Sequence, residues 1–170
     1  RILETAAVEA EQPVEMSAGF RLGALLGTAA LTGRDKLSLR SSPRLASLGA
    51  WIEQLVAEST GKQGLGILPI DRDSEMTGEG FPNDRLFVFH RYDDELLSDT
   101  EPIRDAGQPM AECILESVED LGAVMYQWEL ATAIAGAVMG INPFDQPNVE
   151  EAKQRTQRLV AAFRKTGSLP

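Results

Sequence analysis

Apolar positions recur along the chain with two periods, and segments of one kind alternate with segments of the other. Arg21 to Leu31 (RLGALLGTAAL) is small and apolar with helical spacing, and Gly33 stands where such a helix would stop. Lys36 to Arg40 (KLSLR) alternates apolar and polar residues as a short strand does. Ser42-Pro43 predicts a helix start, with Ser42 as N-cap and Pro43 in the first helical position. Leu45, Leu48, Ile52, Leu55 and Val56 follow at three- and four-residue steps, and the helix should end near Gly61.

Gly66 to Ile70 (GILPI) and Arg85 to Arg91 (RLFVFHR) read as strands, the second rich in aromatic and branched residues. Between them, Asp71 to Asp84 is polar and holds Gly78, Gly80 and Pro82, the composition of a loop. Asp93 to Asp105 is a weak helix interrupted by Pro102, and Pro109 to Leu115 is a further strand. Glu119 to Met139 carries the strongest helical signal. Beyond Glu129 it is apolar on every side, so neighbours should bury it, and Asn142-Pro143 should break it. Val149 to Lys165 forms a last amphipathic helix, with Asn148 as N-cap and Glu151 three residues on in a capping-box arrangement. Helices alternating with short strands predict an α/β layered domain with a mostly parallel sheet. Such sheets bind ligands beyond the carboxyl ends of their strands, which directs attention to residues 58–66 and 142–149.

Composition narrows the function. The 170 residues include 26 acidic and 16 basic side chains, for a formal charge of −10. That balance argues against a nucleic-acid surface, because little would neutralise phosphates along a duplex, but one locally positive pocket could still take a small anion. A single Cys forbids an intrachain disulfide, and a single His speaks against a structural zinc. The charge-free stretch from Leu130 to Phe144 is too short for a membrane span, and there is no leader pattern. The expectation is a cytoplasmic domain that opens at Arg1 because it is cut from a longer chain.

Two ionisable residues stand out by position. Glu58 lies three residues from Leu55 and seven from Trp51, on what the spacing reads as the buried helix face. Burial and the helix C-terminus would both favour its protonated form, which suits a general base near neutrality. Fraying into solvent is the competing reading. Lys153 shares a stripe with Val149, Thr156 and Val160, where it would snorkel to water or offer its ammonium to a substrate oxygen. The run Gly61-Lys62-Gln63-Gly64-Leu65-Gly66 invites a phosphate-loop reading and fails it. No Ser or Thr follows Lys62, and the strand comes after the loop, so a turn with positive-φ glycines is the better reading. His90, Tyr126, Trp128 and Cys113 read as packing residues.

Leu121 to Lys153 (LGAVMYQWELATAIAGAVMGINPFDQPNVEEAK) resembles the C-terminal signature of glucose-6-phosphate isomerases. It has their Leu-Gly-Ala start, mid-helix Glu, Asn-x-Phe-Asp-Gln turn and Val-Glu-x-x-Lys, without a gap. Glu58-Ser59-Thr60-Gly61-Lys62 resembles the family's Glu-Ser-Asn-Gly-Lys. The segment SAGFRLGALLGTAALTGRDKLSL, with WIEQLVAESTGK, looks most like the isomerase half of bifunctional transaldolase/glucose-6-phosphate isomerase fusions.

The resemblance implies that residues 1–170 are a C-terminal sugar-isomerase (SIS) domain, a three-layer α-β-α sandwich of flavodoxin-like type. It implies aldose–ketose isomerisation of a sugar phosphate through a cis-enediol, with no metal or organic cofactor. Glu58 matches the base that moves a proton between C2 and C1, Lys153 a residue acting near the ring oxygen and the C1 and C2 hydroxyls, and Gln146 a residue that binds substrate near its phosphate. In the family an upstream SIS domain supplies the phosphate loop and a facing Arg, so the chain alone should be inactive or nearly so. The implied partners are that domain, a transaldolase domain and a second copy. The family's Gly-Thr-Asn-Gly-Gln-His segment has no counterpart here; residues 71–84 occupy that stretch. Pro147-Asn148 replaces the usual aromatic-Gly pair. Two alternatives stand beside the enzyme: a non-catalytic phosphosugar-sensing module, and a dimerisation domain whose Trp128 helix pairs with its twin.

Overall fold

The computed structural model describes residues 1–14, 16–72, 80–95, 100–145 and 147–168. Four strands, β1 (Lys36–Ser41), β2 (Leu68–Asp71), β3 (Arg85–Tyr92) and β4 (Met110–Leu115), form a wholly parallel sheet in the order β2-β1-β3-β4. The helices among the described residues are α1 (Ile2–Ala10), α2 (Ala18–Leu31), α3 (Ala46–Thr60), α4 (Thr100–Asp105), α5 (Leu121–Met139) and α6 (Pro147–Thr166). None is long and apolar enough to cross a membrane.

Strand alternation sorts the core into two layers. Leu37 pairs with Leu86 and Leu39 with Val88, so these four share one face and Ser38, Phe87 and Phe89 take the other. The first face packs against Leu22 and Leu26 of α2, Leu48, Ile52 and Val56 of α3, and Trp128, Ala131 and Ala135 of α5. On the second face Phe87 and Phe89 meet Ile103 of α4, and the Phe81 ring stands edge-on to Phe87 at 5.8 Å. The architecture is the expected three-layer α-β-α sandwich. From the central β1–β3 pair the chain moves outward in opposite directions, so right-handed crossovers put α3 and α4 on opposite faces.

Several boundaries depart from the sequence pattern, each for a local reason. α1 carries no strong apolar period and was not expected; it is held by its neighbours, with Thr5 Oγ1 donating to the Glu119 carbonyl at 2.6 Å. Ser42 caps nothing with its side chain. Its N–H donates to the His90 carbonyl at 2.8 Å, which ties it to the sheet, and a 3-10 turn (Pro43–Leu45) intervenes before α3. Pro102 lies within α4 rather than interrupting it. α5 ends at Gly140, in the left-handed region at φ 72°, before Asn142-Pro143 is reached. α6 opens at Pro147, so Asn148 sits inside the helix instead of capping it.

α2 packs closely on α5 along much of its length. Gly19, Gly23 and Gly27, spaced by four, form a smooth stripe along α2 over which the α5 backbone passes. A Cβ at Gly23 would stand 2.5 Å from the Ala131 carbonyl oxygen and 2.7 Å from Ile134 Cβ. Below this contact Trp128 is fully buried, its indole N–H donating to His90 Nε2 at 2.9 Å. Trp128 is thus spent in the chain's own core. Because Nε2 accepts, the imidazole carries its hydrogen on Nδ1. Burial pushes the His90 pKa down to about 4, against a weaker opposing effect of the Arg40 backbone.

Gly23→Ala is expected to lower the unfolding free energy by about 1–2 kcal/mol, the strain of overpacking exceeding the gain of ~1 kcal/mol in helix propensity. Thr28→Ala, on the exposed face of α2, should stay within about 0.5 kcal/mol, and urea titrations measure both. His90 gives a pH dependence of definite sign. Its folded value lies below the ordinary 6.5, so the unfolded chain takes up a proton first as pH falls. Stability held above pH 6.5 should decline by about 3 kcal/mol between there and pH 4. Carboxylates titrate over the same range, so the measurement is the urea midpoint against pH for the parent minus that for His90→Gln.

Candidate functional site

The motif-bearing segments lie together at one edge of the sheet. α3 leaves the carboxyl end of β1 and runs back antiparallel to it, so Glu58 and the turn after Thr60 sit at the amino ends of the strands, where Leu68 N–H donates to the Asp35 carbonyl at 2.8 Å. α5 runs back in the same sense after β4 and delivers residues 140–145 to the same edge. The expectation that these loops lie beyond the carboxyl ends is corrected: each follows a helix, and a helix in a parallel sheet returns the chain to the strands' starting edge.

A short, rigid turn builds the first half of the site. Thr60 is fully buried; its hydroxyl donates to the Val56 carbonyl at 2.8 Å and accepts from Ile67 N–H at 2.9 Å. Lys62 and Leu65 exchange backbone hydrogen bonds of 3.0 and 2.9 Å around Gln63 (φ 57°) and Gly64 (φ 78°). Two successive positive φ values make this a type I′ hairpin turn, which Gly64 adopts without strain. The Lys62 side chain is 3% exposed. Its ammonium donates to the Asn142 carbonyl at 2.8 Å and to the Asp145 carbonyl, and pairs with the Asp145 carboxylate at 2.9 Å. The second half is an equally local structure. Phe144 N–H donates to Asn142 Oδ1 at 3.1 Å, closing a turn, and Pro143 lies against Gly136 of α5.

Lys62 therefore joins the two motifs across 80 residues of chain, a role the sequence reading missed when it tested Lys62 only as a phosphate ligand. The signal was the pairing of a Lys with a turn rich in carbonyls and one Asp, visible only once both are in space.

Glu58 is not buried. Thr60, Val56, Ile52 and Leu48 make the inward stripe of α3, Trp51 and Leu55 are half-buried on its flank, and Glu58 lies exposed beyond them, its carboxylate accepting from Gln54 Nε2 at 3.2 Å. The expected burial fails because Glu58 stands two residues, about 200°, from both Val56 and Thr60, on the face turned away from the sheet. Lys153 is also exposed: α6 runs in the open along its length, with Val149, Leu159, Val160 and Phe163 each more than 40% accessible. The stripe that Lys153 was placed on is thus exposed among the described residues. Gln146 lies outside the described residues. The structure brings the segments that carry Glu58 and Lys153 to one edge through Lys62, but encloses neither side chain. Among the described residues no group of three or more His, Cys, Asp or Glu is placed to hold a metal ion. Burial pushes the Cys113 thiol up to about 12, so it remains protonated on β4.

The fold is a three-layer parallel α/β sandwich shared with solved structures. The chain superposes on a hypothetical protein of Thermus thermophilus with a TM-score of 0.71 at 21% identity, over 94% of this chain and 49% of that one. It also superposes on a glucose-6-phosphate isomerase of Chlamydia trachomatis with a TM-score of 0.62 at 16% identity, over 86% and 38%. In sequence it is similar to curated glucose-6-phosphate isomerases. That of Rubrobacter xylanophilus is 33% identical over 66% of this chain, that of Leptospira biflexa 26% over 70%, and that of Clostridium tetani 28% over 69%. In each case the chain spans about a third of the relative's length (35%). No family model matches the chain.

Lys62→Met keeps the stem and removes the ammonium, leaving two carbonyls and a carboxylate without their donor. The expected cost is about 2–3 kcal/mol in urea unfolding. Asp145→Asn should cost less than about 1 kcal/mol, because that carboxylate is 45% exposed and solvent screens the pair.

Proposed function

We propose that this chain is the carboxyl-terminal sugar-isomerase domain of a phosphosugar aldose–ketose isomerase that interconverts glucose 6-phosphate and fructose 6-phosphate. The observation that carries the reading is the Lys62 bridge between the Glu58 turn and the 142–145 turn, the two segments in which the chain resembles such isomerases. The similarity to relatives of that name supports it. The resemblance of residues 17–39 and 51–62 favours an isomerase joined to a transaldolase.

In this reading Glu58 takes the proton from C2 of the open aldose. A cis-enediol forms as the C2 electrons move toward the C1 carbonyl, and the carboxylic acid so produced returns the proton to C1 on the same face, while a proton passes from the C2 to the C1 oxygen. One carboxylate serves both halves, because the same atom accepts and then donates. Lys153 stands near the ring oxygen and the C1 and C2 hydroxyls during opening, and its ammonium offsets the negative charge that develops there. Gln146 holds substrate near its phosphate. Glu58 and Lys153 both face solvent here, and the chain spans about a third of its relatives. The remainder of the protein therefore has to cover them, excluding water and supplying the phosphate site.

Glu58→Gln in the protein that carries this chain should depress kcat by about 10²- to 10⁴-fold, as loss of a general base does. Lys153→Ala should depress it less, with partial recovery on ring-opened substrate. Unchanged turnover in Glu58→Gln refutes the assignment. A sugar phosphate that raises the thermal midpoint of the wild-type protein without any turnover would favour the sensing module instead.

A further inference from the structure

The hydrogen bonds of Lys62 limit what it can do for a reaction. An ammonium carries three N–H donors, and this one meets three acceptors: the Asn142 carbonyl at 2.8 Å, the Asp145 carbonyl, and the Asp145 carboxylate at 2.9 Å. With the side chain 3% exposed, no donor is left to reach a substrate. Any part that Lys62 plays in turnover therefore passes through the groups it holds.

Those groups stand between the residues given chemical roles above. On one side, each step from Glu58 to Lys62 is fixed. Glu58 lies in the last turn of α3, and Gly61 N–H donates to the Ala57 carbonyl at 3.0 Å. The Thr60 hydroxyl is held between the Val56 carbonyl and Ile67 N–H, and Lys62 N–H donates to the Thr60 carbonyl at 2.8 Å. On the other side, Asp145 directly precedes Gln146 in the chain, and Lys153 follows in α6. The gripped turn is itself tied down, by Pro143 against Gly136 of α5 and by Phe144 N–H donating to Asn142 Oδ1.

We infer that Lys62 is a positioning residue: its ammonium sets the spacing between the Glu58 turn and the 142–145 turn, and so aligns bound substrate with the carboxylate that takes its proton. This rests on the isomerase reading above. The groups that hold substrate stay intact when Lys62 is replaced, so binding changes little while the reacting atoms lose their alignment. A displacement of about 1 Å costs on the order of 100-fold in rate.

The test compares variants of the protein that carries this chain. Lys62→Met should lower kcat about 10- to 100-fold, with KM within about threefold of the parent. The primary isotope effect on kcat with glucose 6-phosphate deuterated at C2 should rise, because proton abstraction from a misaligned C2 becomes slower relative to the other steps. Asn142→Ala, at an exposed position, removes the acceptor that closes the gripped turn. It should lower kcat by a smaller factor, and it carries the test if Lys62→Met does not fold. Ile103→Ala removes buried volume on the other face of the sheet. It should lower the thermal midpoint yet leave kcat per folded molecule and the isotope effect at parent values, which separates positioning from loss of stability. A parent-like kcat and isotope effect in folded Lys62→Met, a loss confined to KM, or an equal loss of kcat in Ile103→Ala would overturn the inference. Glu58→Gln tells its failure from that of the isomerase reading. Unchanged turnover there sinks both, whereas abolished turnover there with parent-like Lys62 and Asn142 variants sinks the positioning role alone.

Discussion

A desolvated ammonium group holds the candidate site together. Lys62 gives up water to bind two backbone carbonyls and one carboxylate of a turn 80 residues away, and such a charge is tolerated inside only when nearly all its donors are used. The consequence is geometric. The end of α3 and the turn after α5 cannot move independently. A Lys in this position fixes distance with three donors on a flexible stem, where an apolar residue would leave the carbonyls of the second turn unpaired.

The bridge works because the helices behind it are rigidly placed. The glycine stripe of α2 lets the α5 backbone approach until side chains are excluded, and the indole of Trp128 then reaches His90 at the sheet centre. Close packing of this kind converts one helix position into the next with little slack. The open α6 is the contrast. It carries Lys153, yet its apolar residues Val149, Leu159, Val160 and Phe163 are exposed. The part of the candidate machinery that carries the Lys153 ammonium is thus the least constrained, and the part that fixes spacing is the most.

Much of the fold was legible because it follows from period and punctuation. The strands near residues 36–40, 85–91 and 109–115 alternate or run apolar, and the helices over 21–31 and 119–139 have long, consistent stripes, so tertiary packing had little to override. What was misread turned on competition. The Leu45 N–H donates to the Ser42 carbonyl rather than to its hydroxyl, and a weakly periodic α1 is packed against α5. At the site, Glu58 was identifiable by its neighbours in sequence, but its burial was not. A two-residue step, about 200° on a helix, separates Glu58 from both Val56 and Thr60 of the inward stripe.

By itself the sequence determined the order and type of the main elements, the parallel α/β class, and the residue types available at two short motifs, since these depend on local period, turn chemistry and composition. Only the tertiary structure decided which edge of the sheet the motifs share and that Lys62 ties them. Each of those depends on groups far apart in the chain meeting in space, and one-dimensional spacing carries no record of the direction in which a side chain finally points.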